Sequence, residues 1–333
     1  MVDPKNILLM NLGQVGDVIL SLSAIRAVRE RFPNSRLTLF VAKVATEIVE
    51  MAGIADEVIS VDRVGIRKGN LFWSTGQILK ILRDLRRRKF DLIIDLHSLH
   101  ETNILGFLSG AKNRLYSIRG NRTLRYLSNF RPEPAVDSEK VHIIDFYAGS
   151  VEPLGVTGAK DPFNLVPSEG VTKRVGEIFG SNRLEDRKLI GLNIGAGHPS
   201  RASSYEHFGR LAQQIIDSTD YGIVVFAGPE ETDLRVRFSE CFPADAVLLD
   251  SLSLSELAAA MLKVEVVVGN DTGPMHLAAS VGTPIVFIVG SNGQTRFHPV
   301  VEYSLIIETD DIDKFEIDPV MEAIDHFLHK KRK

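Results

Sequence analysis

The stretch that decides the fold is Gly269–Pro284, which reads GNDTGPMHLAASVGTP. It lies between two apolar runs, Val264–Val268 and Ile285–Val289, that are typical of buried strands. Within it, Asp271 and Thr272 are residue types that helices prefer at their N-cap. The pattern therefore predicts a strand, a small polar turn and a short helix that begins at the turn.

The start of this helix is a candidate phosphate site. Pro274 suits the first helical position, and free N–H groups together with the helix dipole favour an anion there. An ordinary capped turn would carry the same Asp-Thr-Gly. Glycines, Pro274 and a histidine nevertheless accumulate within one short segment, which favours a binding site. The candidate residues are Asp271, Thr272, Gly273 and His276.

Length and composition describe an ordinary globular protein of about two domains. The chain has 333 residues, of which 44% are hydrophobic and 25% charged, and its net charge of −4 gives no reason to expect nucleic-acid binding. The single cysteine, Cys241, excludes an intramolecular disulfide and a cysteine-cluster metal site. The sequence shows no signal-peptide pattern and no apolar run near the roughly 18 to 20 residues that span a bilayer. We therefore expect a cytoplasmic protein, at most peripheral to a membrane.

The N-terminal half opens as a parallel α/β unit. An apolar strand, Asn6–Leu12, precedes a glycine turn and a helix, and a second strand follows at Arg36–Val41. The turn has only Gly13-x-x-Gly16, and Lys43 follows the second strand, so the dinucleotide fingerprint is not met. The turn instead presents Asp17 at the carboxyl end of the first strand, where open sheets bind ligands. Asp17 would alternatively cap its own helix.

The rest of the chain continues in the same class. A helix over Asp137–Leu154 and a linker within Gly155–Lys173 are predicted to separate two halves, and an amphipathic helix over Ile312–Lys330 to cross back to the first. The predicted domains are residues 1–165, 166–311 and this C-terminal helix, 312–333. The other predicted elements are strands Glu57–Val61, Phe90–Leu96, Leu189–Ile194, Gly222–Ala227 and Val247–Leu249, with a helix at Leu71–Arg88.

Two polar segments stand out in the first half. Asp95-Leu96-His97 follows a strand at the same edge as Asp17, but no third ligand at a recognisable spacing supports a metal site. From Lys112 to Arg131 the chain has six basic residues and no acid. An exposed loop and helix would explain any one arginine, whereas so one-sided a run suggests an anionic surface or substrate: a phosphorylated glycolipid, bilayer headgroups or RNA. The arginines of interest are Arg119, Arg122 and Arg125.

Further turns of the second half are predicted at the same edge as Asp271. Gly195 to Arg201 follows one strand and offers backbone donors and a cation. Gly228 to Glu231 follows the next and offers a carboxylate for ribose hydroxyls. Phosphate donors, a cation and an acid at one edge suit a nucleotide diphosphate.

Together these motifs resemble glycosyltransferase family nine, the ADP-heptose:lipopolysaccharide heptosyltransferases. The resemblance covers most of the chain and is strongest at Gly13-x-x-Gly16-Asp17, at Gly195 to Phe208 and at Asn270 to Pro284. It implies an α/β fold of the GT-B class, with two Rossmann-like domains whose parallel sheets face across a cleft. It also implies inversion at the anomeric carbon, no metal and no cofactor.

The resemblance also implies roles for residues. Asp17 matches the family's proposed general base, and Asp271, Thr272 and Gly273 match the motif that holds the donor's phosphates, with His276 on the same helix. Arg201, seven residues before Phe208, stands where the family has a lysine that touches the diphosphate. Glu231, with Gly195, is implied at the nucleoside, and Gly13, Gly16, His97, Arg119, Arg122 and Arg125 are predicted on the acceptor side.

The sequence departs from the family at two loops. Residues 290–295 replace the family's Gly-Pro-Thr-Asp-Pro, and Asp95-Leu96-His97 replaces Asp-Leu-Gln. The donor base, the sugar and the acceptor therefore stay open. The predicted partners are a nucleotide-sugar donor and an anionic lipid-linked or saccharide acceptor, with peripheral contact at the inner membrane and no nucleic acid. A nucleotide-sugar 2-epimerase and a non-catalytic sugar- or RNA-binding protein are the alternatives.

Overall fold

The computed structural model describes residues 2–137, 139, 141–197, 201–291, 295–299 and 301–330. The chain divides into two compact units, one ending at Phe163 and the other beginning at Asn164. Each unit is a parallel sheet with helices, so the predicted α/β class is confirmed. Each is described below by itself.

The first unit is built on five parallel strands in the order β3-β2-β1-β4-β5. The strands are β1 (Asn6–Asn11), β2 (Arg36–Ala42), β3 (Glu57–Val61), β4 (Leu92–Asp95) and β5 (Asn113–Tyr116). The helices are α1 (Val15–Arg31), α2 (Thr46–Ala52), α3 (Arg63–Lys68), α4 (Leu71–Arg88), α5 (His100–Leu108) and α6 (Ile143–Val151). The apolar run of β1 is buried because other strands pair with both of its edges and helices cover the sheet.

The second unit holds six parallel strands in the order β11-β10-β9-β6-β7-β8. They are β6 (Leu189–Asn193), β7 (Gly222–Phe226), β8 (Val247–Leu249), β9 (Val266–Asn270), β10 (Ile285–Gly290) and β11 (Ser304–Thr309). The helices are α7 (Glu169–Ser181), α8 (Tyr205–Ser218), α9 (Leu234–Cys241), α10 (Leu254–Met261), α11 (Gly273–Ser280) and α12 (Ile317–Lys330).

Three predicted elements differ from the structure. The helix expected from Asp137 begins only at Ile143, and the basic run contains the short strand β5. The final helix begins at Ile317, and its apolar side chains, including Ile324 and Phe327, pack into the core of the second unit. Its predicted packing toward the first unit stays a prediction.

Candidate functional site

In the second unit the candidate residues follow β6 and β9, which are neighbours in the sheet. Asn193 at the end of β6 is paired with Gly269 of β9. A Cβ atom at Gly269 would lie 2.5 Å from the backbone oxygen of Asn193, so only glycine allows this approach. The turns that leave the two strands therefore start side by side.

Buried asparagines hold these turns together. Asn193 donates from Nδ2 to Thr272 Oγ1 at 3.1 Å, and Asn270 donates from Nδ2 to the backbone oxygen of Ile194 at 3.1 Å. Ser203 in turn donates from Oγ to Asn270 Oδ1 at 2.8 Å. Thr272 precedes α11 as its N-cap residue, but its side chain makes no capping hydrogen bond. The hydroxyl is committed to Asn193, which fixes the start of α11 against β6.

A cation lies at this helix start. Arg201 donates from a terminal guanidinium nitrogen to Asp271 Oδ2 at 3.3 Å. The Asp271 side chain is only 13% exposed, whereas that of Arg201 is 54% exposed. The carboxylate therefore positions a guanidinium that still faces solvent, beside the N-terminus of α11 at Gly273.

Glu231 and Gly195 also lie together. Glu231 accepts a hydrogen bond at Oε2 from the backbone nitrogen of Gly228 at 2.7 Å. A Cβ atom at Gly195 would be 3.0 Å from Glu231 Oε1, so the carboxylate lies against the turn that follows β6. These two residues, predicted at the nucleoside from different turns, are neighbours.

The other residues predicted at this edge of the sheet are buried, differ slightly in position, or lie outside the described residues. The His276 ring is buried, with its centroid 5.7 Å from that of Phe287, and a contact with a diphosphate stays a prediction. Pro274 occupies the second position of α11 rather than the first. Residues 198–200 and 292–294, which belong to two of the predicted turns, lie outside the described residues.

In the first unit Asp17 lies in the first turn of α1. Its Oδ2 accepts a hydrogen bond from the backbone nitrogen of Gln14 at 3.0 Å, so the residue does cap its own helix. A Cβ atom at Gly13 would lie 2.9 Å from that same oxygen, and glycine there leaves room for the carboxylate. Oδ1 makes no hydrogen bond with the described part of the chain. Capping therefore leaves one oxygen available to a substrate.

Tyr147 of α6, which the sequence did not indicate, lies near Asp17. Burial raises the pKa of the Tyr147 hydroxyl, and the charge of Asp17 raises that pKa further. The positive charge of Arg119 lowers the same pKa, as does the neighbouring amide of Asn11. Tyr147 therefore lies in one cluster with Asn11 of β1, Asp17 of α1 and Arg119 of the loop after β5.

Arg119 is held loosely in this cluster. It donates to Tyr147 Oη and to the backbone oxygen of Leu96, each at 3.5 Å, and its guanidinium lies 4.8 Å from the ring centroid of Phe146. Its Nε is buried and has no hydrogen-bond partner within the described ranges. The guanidinium therefore retains unused donors.

His97 is buried beside Arg119. Its Nε2 has no hydrogen-bond partner among the residues that the structure describes. Burial lowers the pKa of His97 to about 3, and the positive charges of Arg119 and Arg63 lower it as well. The imidazole is consequently neutral at physiological pH.

Asp95 belongs to a hydrogen-bond network that extends to the backbone nitrogen of Arg119. It accepts hydrogen bonds from the backbone nitrogen of Ser98 at 2.7 Å and from Asn103 Nδ2 at 2.8 Å. Thr123 Oγ1 donates to the Ser98 oxygen at 3.2 Å and accepts from the Arg119 nitrogen at 2.8 Å. Burial raises the pKa of the Asp95 carboxyl to about 6. The described residues contain no group of three or more His, Cys, Asp or Glu placed to hold a metal ion.

The arginines of the basic run 112–131 have different surroundings. Arg125 and Arg131 both pair with Glu133, which lies just beyond the run. Arg114 donates to backbone oxygens, whereas Arg122 is exposed and makes no ion pair within the described ranges. Only Arg119 lies in the cluster with Tyr147.

Comparison with known proteins decides the family. Residues 78–316 match the family described as Glycosyltransferase family 9 (heptosyltransferase), and this segment is more than half of the chain. The chain belongs to glycosyltransferase family 9. It is therefore a glycosyltransferase of the heptosyltransferase class.

Relatives of this family 9 chain agree along its length. It is 22% identical over 301 residues to the lipopolysaccharide core heptosyltransferase OpsX of Haemophilus influenzae, covering 89% of this chain and 82% of the relative. Among solved structures, a family 9 glycosyl transferase from Veillonella parvula matches with a TM-score of 0.83 at 24% identity, covering 98% and 97% of the two chains. The ADP-heptose lps heptosyltransferase II of Escherichia coli matches with a TM-score of 0.79 at 20% identity, covering 98% and 100%. These structures confirm the predicted GT-B fold.

The buried His97 predicts a pH dependence of stability in this enzyme. Below pH 6.5 the unfolded chain protonates this imidazole, but the folded protein does so only near pH 3. The free energy of unfolding therefore decreases as the pH falls below 6.5, and at pH 5 the decrease due to His97 is about 2 kcal/mol. The variant His97→Gln, which restores the family's residue, should remove this loss. Urea unfolding, followed by the fluorescence of Trp73 in the same unit, measures the free energy of unfolding at each pH.

The shift at Asp95 has the opposite sign. Its pKa is raised from 3.8 to about 6, so the folded state retains a proton that the unfolded state has released. The stabilisation that comes from the protonated Asp95 is therefore lost as the pH rises from 3.8 through about 6. Comparing His97→Gln with the parent protein cancels the Asp95 effect, since both contain it. Equal losses of stability from pH 8 to pH 5 in the two proteins would contradict the burial of a neutral His97.

Proposed function

We propose that this family 9 enzyme transfers a heptose from an ADP-linked donor to an anionic, lipid-linked saccharide of the lipopolysaccharide core. The observation that carries the donor assignment is the cluster after β6 and β9. There a solvent-facing guanidinium, Arg201, lies beside the N-terminus of α11, and both stabilise a diphosphate. The name of the Escherichia coli relative, an ADP-heptose enzyme, supports ADP and heptose as base and sugar.

Asp17 is the proposed general base. Its Oδ1 takes the proton of an acceptor hydroxyl as that oxygen attacks the anomeric carbon of the donor. The bond between this carbon and the phosphate oxygen breaks, and its electron pair leaves with the nucleotide diphosphate. Attack opposite the leaving group inverts the configuration. The backbone nitrogen of Gln14 holds Oδ2 and so keeps the carboxylate in place.

Charge on the leaving diphosphate increases during this step. Arg201, oriented by Asp271, and the dipole of α11 are positioned to stabilise that charge. The Glu231 carboxylate, next to Gly195, is the proposed acceptor of hydrogen bonds from the ribose hydroxyls. The acceptor, as an anionic lipid-linked saccharide, would bring the enzyme to the inner face of the cytoplasmic membrane.

We propose that Arg119 contacts an anionic group of the acceptor, because its guanidinium is only half-buried and both of its terminal-nitrogen hydrogen bonds, at 3.5 Å, use Nη2. Nη1 is left to an acceptor group in the cluster that contains Asp17. The variant Arg119→Ala should raise the acceptor KM about 10- to 100-fold, as expected for a lost hydrogen bond to a charged group. Donor affinity, measured by calorimetry, should stay unchanged. Arg122→Ala should have a smaller effect, and Arg125→Ala the smallest since Arg125 already pairs with Glu133. An unchanged KM in Arg119→Ala would show that this arginine only stabilises the loop after β5 and does not contact the acceptor.

Calorimetric titration with ADP, GDP and UDP tests the donor assignment. We expect ADP to bind most tightly, and the ADP-linked sugar to be stable in the enzyme's presence until an acceptor is added. Preference for GDP or UDP would contradict the ADP assignment. Rearrangement of the sugar with donor alone would instead identify a 2-epimerase, which needs no second substrate.

A further inference from the structure

Helix α4 in the first unit leaves large apolar side chains in solvent. Of its eighteen residues only Leu85 is buried. The first turn exposes 79% of Leu71, 91% of Phe72 and 45% of Trp73, and Leu79, two turns after Phe72, is 58% exposed. Exposed apolar residues that cluster in this way mark a surface that contacts a partner.

The outer face of α4 changes character along its length. Phe72, Leu79, Arg83 and Arg87 are spaced by seven, four and four residues, which places them on one face of the helix. The opposite face, with Leu85, packs against the core of the first unit. The outer face is therefore apolar in its first half and basic in its second.

The surrounding sequence is strongly basic. Residues 63–89 contain nine Lys or Arg and a single acid, Asp84, which gives a net charge of +8 in a chain whose total is −4. Arg88 pairs with Asp84 and with Glu57. Arg83 and Arg87, by contrast, make no ion pair or hydrogen bond with the residues that the structure describes. Their charges are available to an anionic partner.

We propose that the outer face of α4, defined by Phe72, Leu79, Arg83 and Arg87, docks on an anionic phospholipid bilayer. The helix lies in the plane of the interface. Phe72 and Leu79 enter the boundary between headgroups and acyl chains, and the arginines contact lipid phosphates. This is interfacial binding: across the described residues no helix is long and apolar enough to cross a membrane.

Charge distinguishes the bilayer from a second copy of the chain. A symmetric dimer through this face would bring the same patch of each copy together. The unpaired Arg83 and Arg87 of one copy would then lie either against the same arginines or against the apolar half of the other copy, and neither arrangement gives these charges an anionic partner. An anionic bilayer satisfies the apolar and the basic halves together. The inference rests on the proposed function, since an enzyme that acts on a lipid-linked acceptor must reach the membrane that contains it.

The only tryptophan of the chain, Trp73, follows Phe72 in the first turn of α4, at the margin of this face, and is 45% exposed. Its fluorescence reports docking at this end of the helix. The full-length enzyme is titrated with vesicles of equal parts phosphatidylethanolamine and phosphatidylglycerol, and separately with phosphatidylcholine alone. We expect a blue shift of Trp73 emission with the anionic vesicles and quenching when their acyl chains are brominated. Neutral vesicles should bind much more weakly. Vesicle binding without any change in Trp73 would show that another surface docks.

Two pairs of substitutions test the two halves of the face. Arg83→Gln with Arg87→Gln should lower partitioning onto anionic vesicles about 30-fold, from about fivefold for each charge removed. Phe72→Ser with Leu79→Ser should lower it about tenfold or more. Val236→Ser, at a valine of the second unit that is 79% exposed, is the control and should change nothing. Equal binding by all these variants would overturn docking through α4.

Two further measurements separate the remaining outcomes. All variants should retain the parent kcat with a delipidated, water-soluble acceptor, because α4 contributes none of the proposed catalytic residues. If no acceptor supports transfer while Trp73 still shifts on vesicles, the proposed function fails and the docking stands. A shift of Trp73 that depends on protein concentration without lipid would identify a second copy as the partner and overturn the bilayer.

Discussion

Replacing Asp17 with asparagine is expected to lower kcat about 10²- to 10⁴-fold, the contribution typical of a general base. Asparagine keeps the shape of the side chain and an oxygen that accepts from Gln14, so α1 should remain capped. It lacks the basicity to take a proton from the acceptor hydroxyl. The affinity for ADP should therefore match that of the parent enzyme in calorimetry, while turnover is lost.

Asp91 supplies a matched control for this substitution. It also accepts backbone hydrogen bonds, from Lys5 and Asn6 at 2.8 and 2.9 Å, but it precedes β4 at the opposite edge of the same sheet. Asp91→Asn should leave kcat unchanged even where it lowers the melting temperature. Near-parent turnover by Asp17→Asn would assign Asp17 only to capping its helix.

Removal of the Arg201 guanidinium is expected to lower kcat/KM about 10²- to 10³-fold, as for the loss of one donor that stabilises transition-state charge. The leaving diphosphate would lose its side-chain cation and retain only the start of α11. Arg201→Lys should recover part of the activity, because lysine keeps the charge but not the planar fork of donors. Steady-state kinetics with saturating acceptor measure the effect.

A second exposed ion pair serves as the control. Lys188 pairs with Asp220 at 3.4 Å, and both precede strands at the opposite edge of the second sheet. Lys188→Ala removes a cation of similar exposure and should leave kcat/KM unchanged. If Arg201→Ala also leaves it unchanged, the diphosphate is held elsewhere, and the pair with Asp271 is only a surface ion pair.

The buried strands were predictable because their chemistry is uniform. Strands such as β1, β9 and β10 are continuous apolar runs, as expected when helices cover both faces of a parallel sheet. The edge strands β5 and β11 were missed. Strand β11 reads SLIIET and is only partly buried, and an edge strand of this kind carries no clear periodicity.

The candidate site divides in the same way. Asp17 follows a strand of the first sheet, and Arg201 and Asp271 follow neighbouring strands of the second. Their positions were predictable because open parallel sheets bind ligands at the carboxyl ends of their strands. Tyr147 was not, since it reaches the Asp17 cluster from α6, more than a hundred residues away, and a lone buried tyrosine gives no sequence signal. The grouping of Arg119 with His97, and the pairing of Arg125 with Glu133, likewise depend on tertiary contacts.

The most direct test is the mass of the acceptor after incubation with ADP-heptose and the enzyme. We predict that the acceptor gains one heptosyl unit, with one ADP released for each acceptor modified, and that neither product forms with Asp17→Asn above its residual rate. Consumption of the donor without an acceptor, or an acceptor of unchanged mass when the donor is bound, would contradict sugar transfer by this protein.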